Sequence, residues 1–259
     1  MRNSRKFRLL RAALLLIMLV CLIPVGQAYY LSYRHEVQQK GLKNSLANPK
    51  IELQKEENTK ATEDMLEKFG ELYIQNNDLV GWLSIEGTKI DYPVLRCEED
   101  DDYYLTRNFQ REKDKYGSLF VKGIADVDTP GTNFIIYGHN MRDGSMFGTL
   151  DRYESKEFCK EHDKIYFDTL YEERVYEIMA VFQVQLYQED QTFEYYEFYQ
   201  AETEKEFLEF YENVKKIALY DTGVSAEFGD TLLTLSTCSN VGEDGRLVVV
   251  AKRVEKGSF

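Results

Sequence analysis

The residues best suited to chemistry are one cysteine, one histidine and one arginine. Cys238 ends the run Thr231-Leu232-Leu233-Thr234-Leu235-Ser236-Thr237-Cys238, and Arg246 opens Arg246-Leu247-Val248-Val249-Val250 after a polar segment holding Gly242, Glu243, Asp244 and Gly245. Aliphatic and β-branched runs on either side of such a segment predict two antiparallel strands joined by a turn. With the loop centred near Gly242, Cys238 pairs with Arg246 and Ser236 with Val248, and paired residues share one face of a sheet. A thiol attacks carbon as its thiolate, a form that a neighbouring cation favours, and the same cation can hold the oxyanion that follows.

The other half of the constellation is Asn133-Phe134-Ile135-Ile136-Tyr137-Gly138-His139-Asn140, an apolar strand ending in histidine. Alternation puts Asn133, Ile135, Tyr137 and His139 on one face, so Tyr137 flanks whatever His139 touches. An imidazole can take up and return a proton near neutrality, which suits both an incoming and a departing amine. The chain has three histidines. His35 follows the apolar N-terminal segment and His162 sits in Lys160-Glu161-His162-Asp163-Lys164, positions that read as solvated. Each candidate also has a bland reading: a strand-end cysteine is usually a small hydrophobe, an arginine a surface charge, a histidine a satisfied structural group. The three residue types together at strand ends favour catalysis.

Thr234-Leu235-Ser236-Thr237-Cys238, Arg246 on the next strand and the earlier Ile135-Ile136-Tyr137-Gly138-His139, in the order His, Cys, Arg, resemble the catalytic signature of the sortases, in detail class B. The similarity extends from about Asp78-Leu79-Val80-Gly81-Trp82-Leu83 to Val254. It implies a mainly β fold, a closed sortase-type barrel of about eight strands with an N-terminal helical segment and a helix before the Cys-bearing strand. It further implies Cys238 as nucleophile, His139 as proton carrier and Arg246 as oxyanion donor, with Leu95, Tyr137 and Ser236 near the substrate groove and no cofactor or metal. The implied substrates are exported proteins with a C-terminal sorting motif of the Asn-Pro-x-Thr type, and the implied acceptor is an amine of peptidoglycan or its lipid-linked precursor. Two positions depart from the pattern. Asp91 replaces the Asn of Asn-Tyr-Pro, and Ser239 replaces an acidic residue that sometimes follows the cysteine, so His139 has no assigned acidic helper.

Two other readings compete. An L,D-transpeptidase would want a histidine two positions before its cysteine, where Ser236 stands, and a papain-like wall hydrolase usually places its Cys before its His. The barrel could also serve as a non-enzymatic surface-binding scaffold, since fold does not imply function.

The N-terminus sets the compartment. Arg2, Arg5, Lys6, Arg8 and Arg11 precede an uncharged run from Ala12 to Leu31, close to the roughly 20 apolar residues that span a bilayer. The basic flank predicts a cytoplasmic start, a single-pass anchor over residues 1–31 in the cell membrane, and an extracellular remainder. Gly26-Gln27-Ala28 also fits a signal-peptide cleavage site, the rival reading. Residues 32–60 read as a polar linker and 61–259 as one catalytic domain.

Without the five basic residues before the apolar run, the net charge falls from −13 to −18. Nucleic acid and anionic membrane surfaces would be repelled by such a domain. Outside the anchor stand Cys97, Cys159 and Cys238, an odd number that leaves at least one thiol unpaired within a monomer, while a Cys97 to Cys159 bridge stays open. The acidic run Glu98 to Asp102 lacks the ligand spacing of a calcium loop and reads as a solvated turn.

Met65, Leu66, Phe69, Leu72 and Tyr73 recur at helical spacing. Strands are expected at Val80 to Ile85 and Lys89 to Leu95 around Glu86-Gly87-Thr88, then at Tyr103 to Phe109, Ser118 to Lys122, Lys164 to Thr169 and Arg174 to Tyr187. Met146, Phe147, Leu150 and Tyr153 suggest a short helix. Thr203 with Glu206 makes a capping box for a helix carrying Phe207, Phe210, Tyr211, Val214, Ile217 and Ala218 on one side.

Overall fold

The computed structural model describes residues 2–49, 64–186, 193–239 and 244–255. The chain divides into two units, 1–47 and 48–259. The first is helix α1 (Arg2–Ala47), with Pro24 inside it. From Leu14 onward this helix is long and apolar enough to cross a membrane. Residues 32–47, expected as linker, continue the helix, while 50–60 lie outside the described residues.

In the second unit, among the described residues, eight strands close into one barrel in the order β1-β2-β3-β4-β7-β8-β6-β5. They are β1 (Leu79–Ser84), β2 (Asp91–Arg96), β3 (Leu119–Val121), β4 (Asn133–Tyr137), β5 (Lys164–Thr169), β6 (Glu173–Gln185), β7 (Leu232–Cys238) and β8 (Gly245–Val254). Closure leaves no strand with an unpaired edge. Alternation sorts the side chains. Leu233 and Leu235 of β7 join Phe134 and Ile136 of β4 and Leu247 and Val249 of β8 in the barrel's core cluster, so Thr234, Ser236 and Cys238 lie on the outer face.

Much of that outer face is covered by the connection between β6 and β7. Thr203 caps helix α4 (Glu204–Ile217) through a reciprocal capping box with Glu206, so the N–H groups of both residues are satisfied as the helix starts. Phe207, Phe210 and Val214 pack with Phe182, Val248, Val250 and Leu232 in a second apolar cluster that also takes in Tyr195, from the 3-10 turn Tyr195–Glu197. Phe207 has no exposed surface. Burying such a side chain contributes roughly 2 kcal/mol or more.

Among the described residues the domain has two further helices, α2 (Gly70–Gln75) after a 3-10 turn at Glu67–Phe69, and α3 (Lys156–Glu161) after another at Gly148–Glu154. Met65, Phe69 and Leu72 are buried as their spacing predicts. The strand expected over Tyr103 to Phe109 is instead a 3-10 turn, Tyr103–Thr106. Its aromatic residues carry β propensity, but aspartates set the backbone: the N–H groups of Asp102 and Tyr103 both donate back to Asp100, through its side chain and its carbonyl. Gly87 turns the β1–β2 hairpin at φ +73°, and a Cβ there would meet the His162 ring at 2.4 Å. His162 is therefore not a solvated residue. It is half-buried, packs 4.3 Å from the Phe158 ring and donates through Nδ1 to the Glu86 carbonyl, 2.8 Å away; a carbonyl only accepts, so Nδ1 carries the proton. His35, also expected in solvent, is buried on α1.

Candidate active site

Strands β7 and β8 pair with Cys238 opposite Arg246 and Ser236 opposite Val248. Just beyond the pair, the N–H of Ser239 donates to the carbonyl of Gly245 at 2.9 Å. Antiparallel pairs alternate between hydrogen-bonded and non-hydrogen-bonded, so Cys238 and Arg246 form a non-hydrogen-bonded pair, the type whose side chains stand closer together. Cys238 is exposed, whereas Ser236, two residues before it on the same face, is buried and bonded to Tyr195. Arg246 is half-buried and donates through one Nη to the Gly245 carbonyl at 2.9 Å, using one of its five N–H donors.

His139 reaches this place through a pairing of remote segments. Strands β4 and β7 lie side by side and parallel, with Tyr137 next to Ser236. Past the end of β4 the stitching continues: the Gly138 N–H donates to the Ser236 carbonyl at 3.3 Å, and the Thr237 hydroxyl donates to the Gly138 carbonyl at 2.7 Å. The residue before His139 is thereby tied to both residues before Cys238. His139 itself is half-buried, and its Nε2 lies 2.7 Å from the Leu105 carbonyl in the turn that replaced the expected strand. Since that carbonyl can only accept, Nε2 carries the proton and Nδ1 is left to exchange one. A backbone carbonyl thus orients the imidazole where an acidic helper was missing from the sequence.

The three residues assigned to a groove lie in one lateral row. Leu95 pairs with Phe120, Phe120 with Tyr137 and Tyr137 with Ser236. Phe120 and Tyr137 stack at 5.6 Å between ring centroids, and the Lys122 ammonium stands 5.6 Å from the Tyr137 ring. Leu95 has no exposed surface, Tyr137 is half-buried and Ser236 is 2% exposed. The Ser236 hydroxyl shares a hydrogen bond of 2.8 Å with the Tyr195 phenol, whose pKa burial pushes up to about 12. Burial also drives the Tyr137 phenol well above its usual range. Asp91 accepts from the Trp82 indole at 2.7 Å, which gives the carboxylate a structural partner.

Sequence reading missed Leu105, Thr237 and Tyr195. Thr237 carried a signal, a β-strand hydroxyl beside the thiol. Leu105 acts through its backbone and Tyr195 from a distant connection, so neither advertises its place. Cys97 and Cys159 are free thiols, half-buried and buried. The Glu98 to Asp102 segment forms a turn in which Asp101 accepts from the Gly123 N–H at 2.8 Å.

A sortase domain model matches residues 83–254. Sortase B of Listeria monocytogenes is 35% identical over 204 residues, covering 76% of this chain and 78% of that protein. A crystal structure of sortase B from Bacillus anthracis in complex with AAEK1 superposes with a TM-score of 0.73 at 32% identity, covering 88% of this chain and all of that one. A Staphylococcus aureus sortase B–substrate complex gives a TM-score of 0.69 at 26% identity, covering 85% and 94%. The chain belongs to the sortase family of cysteine transpeptidases, in its class B.

Proposed function

We propose that this transpeptidase cleaves a C-terminal sorting motif of the Asn-Pro-x-Thr type in exported proteins and joins the new carboxyl end to an amine of peptidoglycan or its lipid-linked precursor. The observation that carries the reading is the register that sets Cys238 opposite Arg246, with His139 anchored beside the same strand end.

In the first step the Cys238 thiolate, its proton taken up by His139 at Nδ1, attacks the scissile carbonyl carbon, and the carbonyl π electrons move to oxygen. Arg246 receives that oxyanion, a donation typically worth about 3 kcal/mol. As the tetrahedral adduct collapses, the C–N bond breaks, His139 protonates the departing amine and a thioacyl enzyme remains. In the second step His139 takes a proton from the acceptor amine as its nitrogen attacks the thioester, and the thiolate leaves. Tyr137 is the groove residue that meets substrate. Leu95 and Ser236 flank it in the same lateral row. Helix α1 anchors the enzyme in the cell membrane with the barrel outside.

The test is incubation with a peptide library and a series of amine nucleophiles, reading cleaved and ligated products by mass spectrometry. Cleavage after the Thr of the motif, with ligation dependent on Cys238, is expected. A folded enzyme that turns over other motifs and no Asn-Pro-x-Thr peptide overturns the assigned specificity.

A further inference from the structure

Strand β4 ends at Tyr137 while its neighbour β7 runs to Cys238. Because Cys238 forms a non-hydrogen-bonded pair with Arg246, its own N–H and carbonyl point away from β8 toward the side where β4 has stopped. Among the described residues the carbonyl of the candidate nucleophile therefore has no ladder donor. The side chain of Asn140 fills that place: its Nδ2 donates to the Cys238 carbonyl at 2.9 Å. The same nitrogen donates to Asp151 Oδ1 at 2.7 Å, from the 3-10 turn Gly148–Glu154. Both partners are acceptors, so the amide can present only its NH2 group here, and its two hydrogens serve the two contacts.

We infer that Asp151 and Asn140 are positioning residues that set the backbone of Cys238 relative to His139. Asn140 directly follows His139, so one short segment carries the proton carrier and also holds the strand end bearing the sulfur. Asp151 aims the amide, and its charge strengthens the hydrogen bond it accepts. Displacements of about 1 Å in a reacting group can cost roughly a hundredfold in rate. The inference rests on Cys238 being the nucleophile.

The full chain tests it in two assays. In the first, kcat and KM are measured on whichever sorting peptide the enzyme cleaves. Asn140→Ala and Asp151→Ala are expected to lower kcat about 10-fold to 100-fold with KM within about threefold, because the contact touches the reacting strand and not the groove. Asp151→Asn, whose amide oxygen still accepts, is expected to recover most of the rate. In the second assay, which needs no sorting motif, the pH profile of Cys238 alkylation by iodoacetamide is displaced in Asp151→Ala and matches wild type in Asp151→Asn. Both alanine variants within threefold of wild-type kcat, or Asp151→Asn as impaired as Asp151→Ala, would overturn the inference. Turnover retained in Cys238→Ala would instead sink the nucleophile assignment beneath it.

Discussion

The phenol of Tyr195 and the hydroxyl of Ser236 share a 2.8 Å hydrogen bond across 41 residues, pinning the β6–β7 connection to the strand that ends in Cys238. Both groups are buried, so removing one strands the other without water. Tyr195→Phe should cost about 1–3 kcal/mol, while the double variant with Ser236→Ala should recover part of that loss because neither polar group remains. Urea titrations of the four-member cycle measure it. Simple additivity would mean the contact contributes nothing.

Arg246 faces Cys238 across the ladder. Arg246→Ala should reduce kcat/KM about a hundredfold or more through loss of oxyanion stabilisation. Arg246→Lys should restore only part of it, since a point charge lacks the planar fork. Steady-state kinetics decide; an alanine variant within threefold of wild type removes Arg246 from the mechanism.

The thiols differ in reach. Cys238 is exposed, Cys97 half-buried, and Cys159 buried with its pKa pushed up by that burial. Since the thiolate is the reactive form, iodoacetamide on native protein should modify Cys238 first and Cys159 last, with the order collapsing in denaturant. Peptide mapping over time reads this. For stability, a raised folded pKa means the Cys159 contribution is complete below the ordinary thiol value and is lost as pH rises through the folded value.

Arg174 is 2% exposed and donates to the Val127 and Asp128 carbonyls while pairing with Glu172. Arg174→Ala leaves both carbonyls, the Val127 one buried, without their donor and should cost about 3 kcal/mol or more, lowering Tm by roughly 10 °C. Burial alone would raise the Glu172 pKa, but Arg174 and Arg253 hold it below the usual carboxylate range. A depressed folded pKa gives stability that is present above the unfolded value and lost as pH falls through the folded one. The Tm gap between wild type and Glu172→Gln should therefore shrink on acidification from pH 6 to pH 3. A gap constant with pH would show that the pair contributes no linked stability.

Local pattern determined much of this protein. Aliphatic and β-branched runs marked β7 and β8, and the spacing of their shared loop set Cys238 opposite Arg246. Thr203 and Glu206 announced the start of α4, and the basic flank before residues 12–31 marked a membrane-spanning candidate. These features depend on neighbours a few residues apart, which periodicity and turn chemistry record directly. The tertiary structure alone decided that β4 lies parallel to β7, that the Leu105 carbonyl orients His139, and that Tyr195 bonds to Ser236. Those contacts join segments 34 to 99 residues apart, and barrel closure, not local propensity, selects them. The turn at Tyr103–Thr106 shows the same division: its aromatic side chains spelled a strand, while aspartate hydrogen bonds and the packing of Tyr104 made it the support on which His139 rests.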